Sequence, residues 1–188
     1  MILIIWFKRI LRHVLLAPIL FFALLLTKIT DYSYASIMIS LVPFKTGIIL
    51  RNYFYRLTLQ KCGKDLVVNF GTIISFKDTE IGNHVWLGVY NVFGKINIKD
   101  NVITAQGCHF SSGKNGHGID RTDIPIINQE GHKITLQIGP DVWFGANCTT
   151  IANVGEGCVI GSGSVVVKDI PDWSIAVGNP CRVIKSRK

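Results

Sequence analysis

Six-residue blocks dominate residues 138–169. Ile138-Gly139-Pro140-Asp141-Val142-Trp143 is followed directly by Phe144-Gly145-Ala146-Asn147-Cys148-Thr149, and Val154-Gly155-Glu156-Gly157-Cys158-Val159 and Ile160-Gly161-Ser162-Gly163-Ser164-Val165 repeat the signature. Each block opens on an apolar residue, has glycine second, and carries a small or β-branched residue fifth. A short fixed period is one supersecondary unit stacked on itself. Such a unit cannot bury its own apolar face, so the chain has to form a stack of short coils.

The same signature begins earlier. Ile81-Gly82-Asn83-His84-Val85-Trp86 and Leu87-Gly88-Val89-Tyr90-Asn91-Val92 form one pair of blocks, and a second pair starts at Ile98. Ile81 and Ile98 stand seventeen apart, close to three sixes, which predicts three flat faces per coil and a triangular prism. First and fifth positions point inward. Gly, Asn and Asp take the corners, where the backbone conformation is one that other residues resist. Between Phe110 and Leu136 the rhythm stops. A structureless excursion of that length inside a compact repeat is usually functional.

Charge divides the chain. Residues 1–65 hold nine of the twenty Lys and Arg and two of the twelve acids, so +7 of the formal +8 lies there. A basic, apolar lead-in on a near-neutral repeat domain points to a membrane surface rather than to nucleic acid, and no nucleic-acid-binding motif accompanies it. The uninterrupted apolar run Val14 to Thr27 spans roughly 21 Å as a helix, short of a hydrocarbon core of about 30 Å. Lys8, Arg9, Arg12 and Pro18 also argue against a clean span. The expectation is two short helices lying in the interface or dipping partway in, the second over residues 35–44. Packing of these helices on the domain or on a neighbouring subunit is the alternative, and a secretory signal ending near Tyr34-Ala35-Ser36 a weaker one. An amphipathic helix is expected over residues 47–64, ending near Gly63. The chain thus divides into an N-terminal helical segment (1–65), a coil domain (66–169) carrying the excursion 110–137, and a C-terminal cap (170–188).

The five cysteines form no CxxC pair. Cys108, Cys148 and Cys158 fall on fifth positions and read as small core hydrophobes, in a reducing compartment.

Three signatures in this order, IGPDVWFG (138–145), IGSGSVVVKDIP (160–171) and GNPCRVI (178–184), resemble the hexapeptide-repeat acyltransferases. The similarity is greatest to the galactoside and maltose acetyltransferases and the O-acetyltransferases of capsule, exopolysaccharide and O-antigen synthesis, and it covers about residues 66–188. The resemblance implies a mainly β fold, a left-handed parallel β-helix, here with an N-terminal α-helical, membrane-facing segment. It also implies acetyl-CoA as co-substrate with no metal, and a homotrimer with sites between subunits. In one respect the chain departs from the family. It runs two residues short between Trp143 and Ile160, leaving ANVGEGCVIG with one tight corner and a possible local change of register.

His117, in the context His117-Gly118-Ile119-Asp120 and 26 residues before Trp143, corresponds to the family's catalytic base. Glu130 or Asp120 would orient its ring. A sugar hydroxyl is too weakly acidic to attack a thioester at neutral pH, and a histidine that takes its proton as the C–O bond forms removes that obstacle. A backbone N–H would stabilise the charge on the acetyl oxygen. His109 is the competing base or an acceptor contact, with Asn91 and Trp143 as further acceptor-side candidates. The resemblance places Ala146 and Ser162 along the pantetheine arm. It places Val167 and Lys168 near the coenzyme phosphates, and Arg182 and Lys185 near the nucleotide, where a lysine keeps the charge and loses the bidentate fork.

These residues point to O-acetylation of a sugar in a polysaccharide or lipid-linked glycan precursor, at the cytoplasmic face of a membrane. A small soluble acceptor and a non-catalytic trimeric scaffold are the alternatives.

Overall fold

The computed structural model describes residues 2–114 and 116–188, with side chains from Val14 onward. Lys8, Arg9, Arg12 and His13, which bear on membrane contact, have side chains outside the described set.

From Lys61 the chain winds into a parallel β-solenoid with three faces. The first face stacks Lys61–Cys62, Glu80–Ile81, Ile96–Ile98 and Leu136–Ile138. The second runs from Val67–Val68 through Trp86–Leu87, Ile103–Thr104, Trp143–Phe144 and Val159–Ile160 to Ser174–Val177. The third stacks Ile73–Ile74, Val92–Phe93, His109–Phe110, Thr149–Thr150 and Val165–Val166. First and fifth positions are buried as the period requires: Ile81, Val85, Leu87, Ile98, Val102, Phe144, Cys148 and Cys158 are all within 3% of full burial. Phe93, Phe110 and Phe144 stack through consecutive coils with ring centroids 4.7 and 4.9 Å apart.

Two of the three corners run on left-handed backbone. Asp65, His84, Asn101, Asp141, Gly157 and Trp173 form one such column, and Gly71, Tyr90, Gly107, Asn147 and Gly163 the other. Asn and Asp tolerate this region because their short polar groups bond locally. His84 is explained by its place here, with Nδ1 3.3 Å from the Asp65 carboxylate.

The coil shortens along the stack. Partners stand nineteen residues apart at Val67 and Trp86, seventeen at Trp86 and Ile103, and sixteen at Trp143 and Val159. The two-residue shortfall read from the sequence is absorbed on the first face, where Val154 is reduced to single bridges with Ile138 and Ile170. There the Asn153 amide and backbone N–H both donate to Asp169, at 3.2 and 2.9 Å. The second-face register at Trp143 is untouched. The C-terminal strand Arg182–Ser186 turns back antiparallel on Ser174–Val177 and covers the edge of the second face.

Three helices precede the coils: α1 (Ile2–Ile29), α2 (Tyr32–Ser40) and α3 (Phe44–Thr58). The first is a single helix that continues through Pro18, longer than the apolar run alone suggested. Among the described residues no helix is long and apolar enough to cross a membrane. The third helix stops at Thr58, before Gly63, because Lys61–Cys62 is taken into the first coil and the Gly63 N–H donates to Ile81 O at 2.9 Å.

Helices α2 and α3 close the lower end of the prism. Ala35, Ile39, Leu50, Phe54 and Tyr55 are fully buried. Arg51 is buried as well. Its Nε donates to Val68 O at 2.8 Å and its Nη1 to Ile39, Ser40 and Val42 carbonyls at 2.9–3.2 Å. The guanidinium thus sits on the carbonyl end of α2, where the helix dipole favours a cation, and ties it to the first coil. Helix α1 packs on the other two through Leu16 and Ala23, while Phe21, Phe22, Leu25 and Ile29 face outward.

Candidate active site

The excursion leaves the third face after Phe110 and rejoins the first face at Leu136. Its neck is closed by the Ile134 N–H donating to Ser112 O at 3.0 Å, and the Ser112 hydroxyl accepts the Lys95 N–H at 2.9 Å. Farther out, the half-turn Ile126–Asn128 is held by Gln129. This buried amide accepts the Arg121 N–H at 3.1 Å and donates to the Arg121 and Ile124 carbonyls at 2.7 and 3.2 Å. The returning strand then lies against the outgoing one, with Gly131 packed on the Gly116–His117 peptide.

This folding hangs His117 over the third face. His117, His109, Ser111, Ser112, Ser75 and Lys133 line one open cavity of about 360 Å³. Both histidines weighed from the sequence therefore reach the same space. His109 projects outward from its strand, because the next residue, Phe110, takes the inward position.

The remaining candidates separate. Glu130 and Asp120 are exposed in the loop, and among the described residues no hydrogen bond joins either to His117. Asn91 is not an acceptor contact, because it is fully buried. Its Oδ1 accepts the Cys108 N–H at 2.7 Å and its Nδ2 donates to Thr104 Oγ1 at 2.6 Å, so both ends of the amide are engaged inside the core. Trp143 is half exposed on the second face and does not line the cavity. Ala146 and Ser162 do come together, one coil apart at a corner, where the Ala146 N–H donates to Ser162 Oγ at 3.1 Å. Val167 and Lys168 follow the last strand of the third face, and Arg182 and Lys185 lie on the exposed C-terminal strand. None of these six lines the histidine cavity.

Cys108 is no rival nucleophile. It is fully buried, and its thiol donates to Gly145 O at 3.2 Å. The hydrogen bond between this thiol and that of Cys148 lowers Cys108 and raises Cys148, and it is full burial that keeps Cys108 from a substrate. Among the described residues no group of three or more His, Cys, Asp or Glu could hold a metal ion. Lys133 and Gln129 were not singled out in the sequence, where a lysine and a glutamine in a polar loop carry no positional signal.

This fold is shared with known proteins. A maltose O-acetyltransferase from Clostridium difficile superposes with a TM-score of 0.75 and 28% identity, over 87% of this chain and 89% of that one. A hexapeptide-repeat acetyltransferase from Vibrio cholerae, solved with acetyl coenzyme A, gives a TM-score of 0.63 at 22% identity, over 79% and 81%. In sequence, a Mycobacterium tuberculosis protein described as a probable acetyltransferase is 39% identical over 112 residues, 57% of this chain. The matched segment spans 37% of that protein's own length, and 26% of a Staphylococcus aureus putative acetyltransferase. No family model matches the chain. The resemblance read from the sequence holds: solved structures that share this solenoid include a maltose O-acetyltransferase and a hexapeptide-repeat acetyltransferase.

Proposed function

We propose that this protein transfers an acetyl group from acetyl-CoA to a hydroxyl of a saccharide. The observation that carries this reading is that His117 and His109 line one open cavity on the third face, in a solenoid similar to a maltose O-acetyltransferase. His117 takes the proton of the acceptor hydroxyl as its oxygen attacks the acetyl carbonyl carbon, and returns that proton to the departing sulfur. Acetyl-CoA supplies the electrophile. Holding acceptor and acetyl group together beside the base accounts for much of the rate.

The coil is left-handed and the working form is a homotrimer. Trp86, Ile103 and Trp143 stand in register on the second face, each about half exposed. A column of large apolar side chains on a solvent-facing sheet is an association surface. Ala146, Ser162, Val167, Lys168, Arg182 and Lys185 line the coenzyme's path along the groove between neighbouring prisms; none of them lines the histidine cavity of a single chain, which fits a site completed by a second one. The outward apolar residues of α1, beside a strongly basic N-terminal segment, hold the trimer on the cytoplasmic face of a membrane, where the acceptor is a polysaccharide or lipid-linked precursor.

The test is transfer of labelled acetyl from acetyl-CoA to membrane extracts by the full chain. Label is expected in the glycan fraction with wild-type protein and not with folded His117→Ala. Equal labelling by both would overturn the assignment.

A further inference from the structure

A second, larger cavity adjoins the histidine one. It measures about 890 Å³ and lies between the α1–α2 junction and the edge of the solenoid. Ser75 and Lys133 line both spaces, so the two cavities are immediate neighbours. On one side stand Thr30, Asp31 and Tyr32, and on the other Phe76, Lys77 and Lys95.

The lining holds three lysines, Lys77, Lys95 and Lys133, and two carboxylates, Asp31 and Asp78, a surplus of one positive charge. Lys95 is paired with Asp78 at 3.0 Å. Lys77 and Lys133 have no carboxylate partner among the described residues. Lys95 and Lys133 also converge on the Phe76 ring, at 5.9 and 5.3 Å from its centroid. Asp78 already neutralises Lys95, so the cations of the lining left for a bound anion are Lys133, at the ring, and Lys77. The surrounding hydroxyls and the ring give the mixed lining typical of a small-molecule site.

Resting on the acyl-transfer reading above, we infer that this cavity binds the acceptor through an anionic group: the acceptor is a phosphorylated saccharide. Lys77 and Lys133 neutralise its phosphate, and its sugar ring extends past Ser75 toward His117. The cavity opens at the end of α1, whose outer face carries exposed Leu25 and Ile29. A phosphate held here can belong to a soluble sugar phosphate or to the head of a lipid-linked saccharide.

The experiment is titration calorimetry of the full chain, without acetyl-CoA, against glucose, galactose and N-acetylglucosamine and against their 1-phosphates. At least one 1-phosphate should bind tenfold or more tighter than its free sugar. That discrimination should fall to within twofold in the folded Lys77→Gln/Lys133→Gln variant and persist in His117→Ala. Equal binding of every pair, no binding of any 1-phosphate, or discrimination that survives the double lysine change would overturn the inference. Displacement of the sugar phosphate by phosphatidylcholine vesicles carrying a polyprenyl phosphate, and not by plain vesicles, assigns the site to a lipid-linked acceptor; no displacement assigns it to a soluble one. Acetyl transfer is read separately, so discrimination without His117-dependent transfer would sink the enzymatic reading and leave the anion site standing.

Discussion

Gly131 packs against the backbone of His117 so closely that a methyl group added at Gly131 would lie 2.6 Å from the His117 nitrogen. The two strands of the loop are in contact at the point where the proposed base emerges. Gly131→Ala must therefore shift His117, and the loop lies outside the coil core. A misplacement of about 1 Å costs about 100-fold in rate. The expected result is a loss of that order in kcat/KM with little change in thermal midpoint, measured by acetyl transfer and by thermal unfolding.

Asn91 acts on stability, not on acceptor affinity. Removing its amide leaves the buried Cys108 N–H without a partner, at about 1–3 kcal/mol, and strips Thr104 Oγ1 of one of its two donors, the Gly88 N–H remaining. Asn91→Ala should lower the urea midpoint while KM for the acceptor in the surviving folded protein stays unchanged. A raised KM at unchanged stability would return Asn91 to the acceptor side.

Arg51 joins the helices to the prism. Arg51→Ala strips four hydrogen bonds from the Ile39, Ser40, Val42 and Val68 carbonyls and opens a buried space. A loss of about 3 kcal/mol or more is expected, a shift of roughly 10 °C for a chain of this size. Truncation follows the same logic: removal of α1 should leave a folded solenoid, and removal through α3 should not, as circular dichroism of the two truncated forms will report.

Burial pushes Tyr55 up to about 12, against the lowering effect of its hydrogen bond with Ser36. The unfolded chain ionises near pH 10 while the folded one stays protonated. The stability from this group is therefore complete below pH 10 and is lost as the pH rises toward 12, at about 1.4 kcal/mol per pH unit. Denaturant midpoints measured across that range should fall less steeply for Tyr55→Phe than for wild type.

The coils were legible because burial enforces the six-residue period: every first and fifth position of the blocks from Ile81 to Ser164 meets the core, the polar Asn91, Thr104 and Ser164 included. Asn91 obeys that rule too, which marks it as a packing residue despite its polarity. Helix α1 was harder to read, since Pro18 removes one hydrogen bond while packing of Leu16 and Ala23 on α2 and α3 carries the helix through. The loop was legible as an interruption and as the home of His117. Its internal folding was not, because Gln129, Gly131 and Lys133 owe their positions to contacts across the loop that no local period encodes. The charge imbalance at Lys77 and Lys133 likewise exists only once helix junction, coil edge and loop are brought together.

The most direct measurement is CoA release from acetyl-CoA in the presence of a saccharide acceptor, by purified wild type, His117→Ala and His109→Ala of equal thermal stability. Loss of a general base lowers the rate by about 10²–10⁴-fold, and that loss is expected for His117→Ala, with a smaller one for His109→Ala. A His117→Ala rate within twofold of wild type would contradict the assignment of His117 as the base.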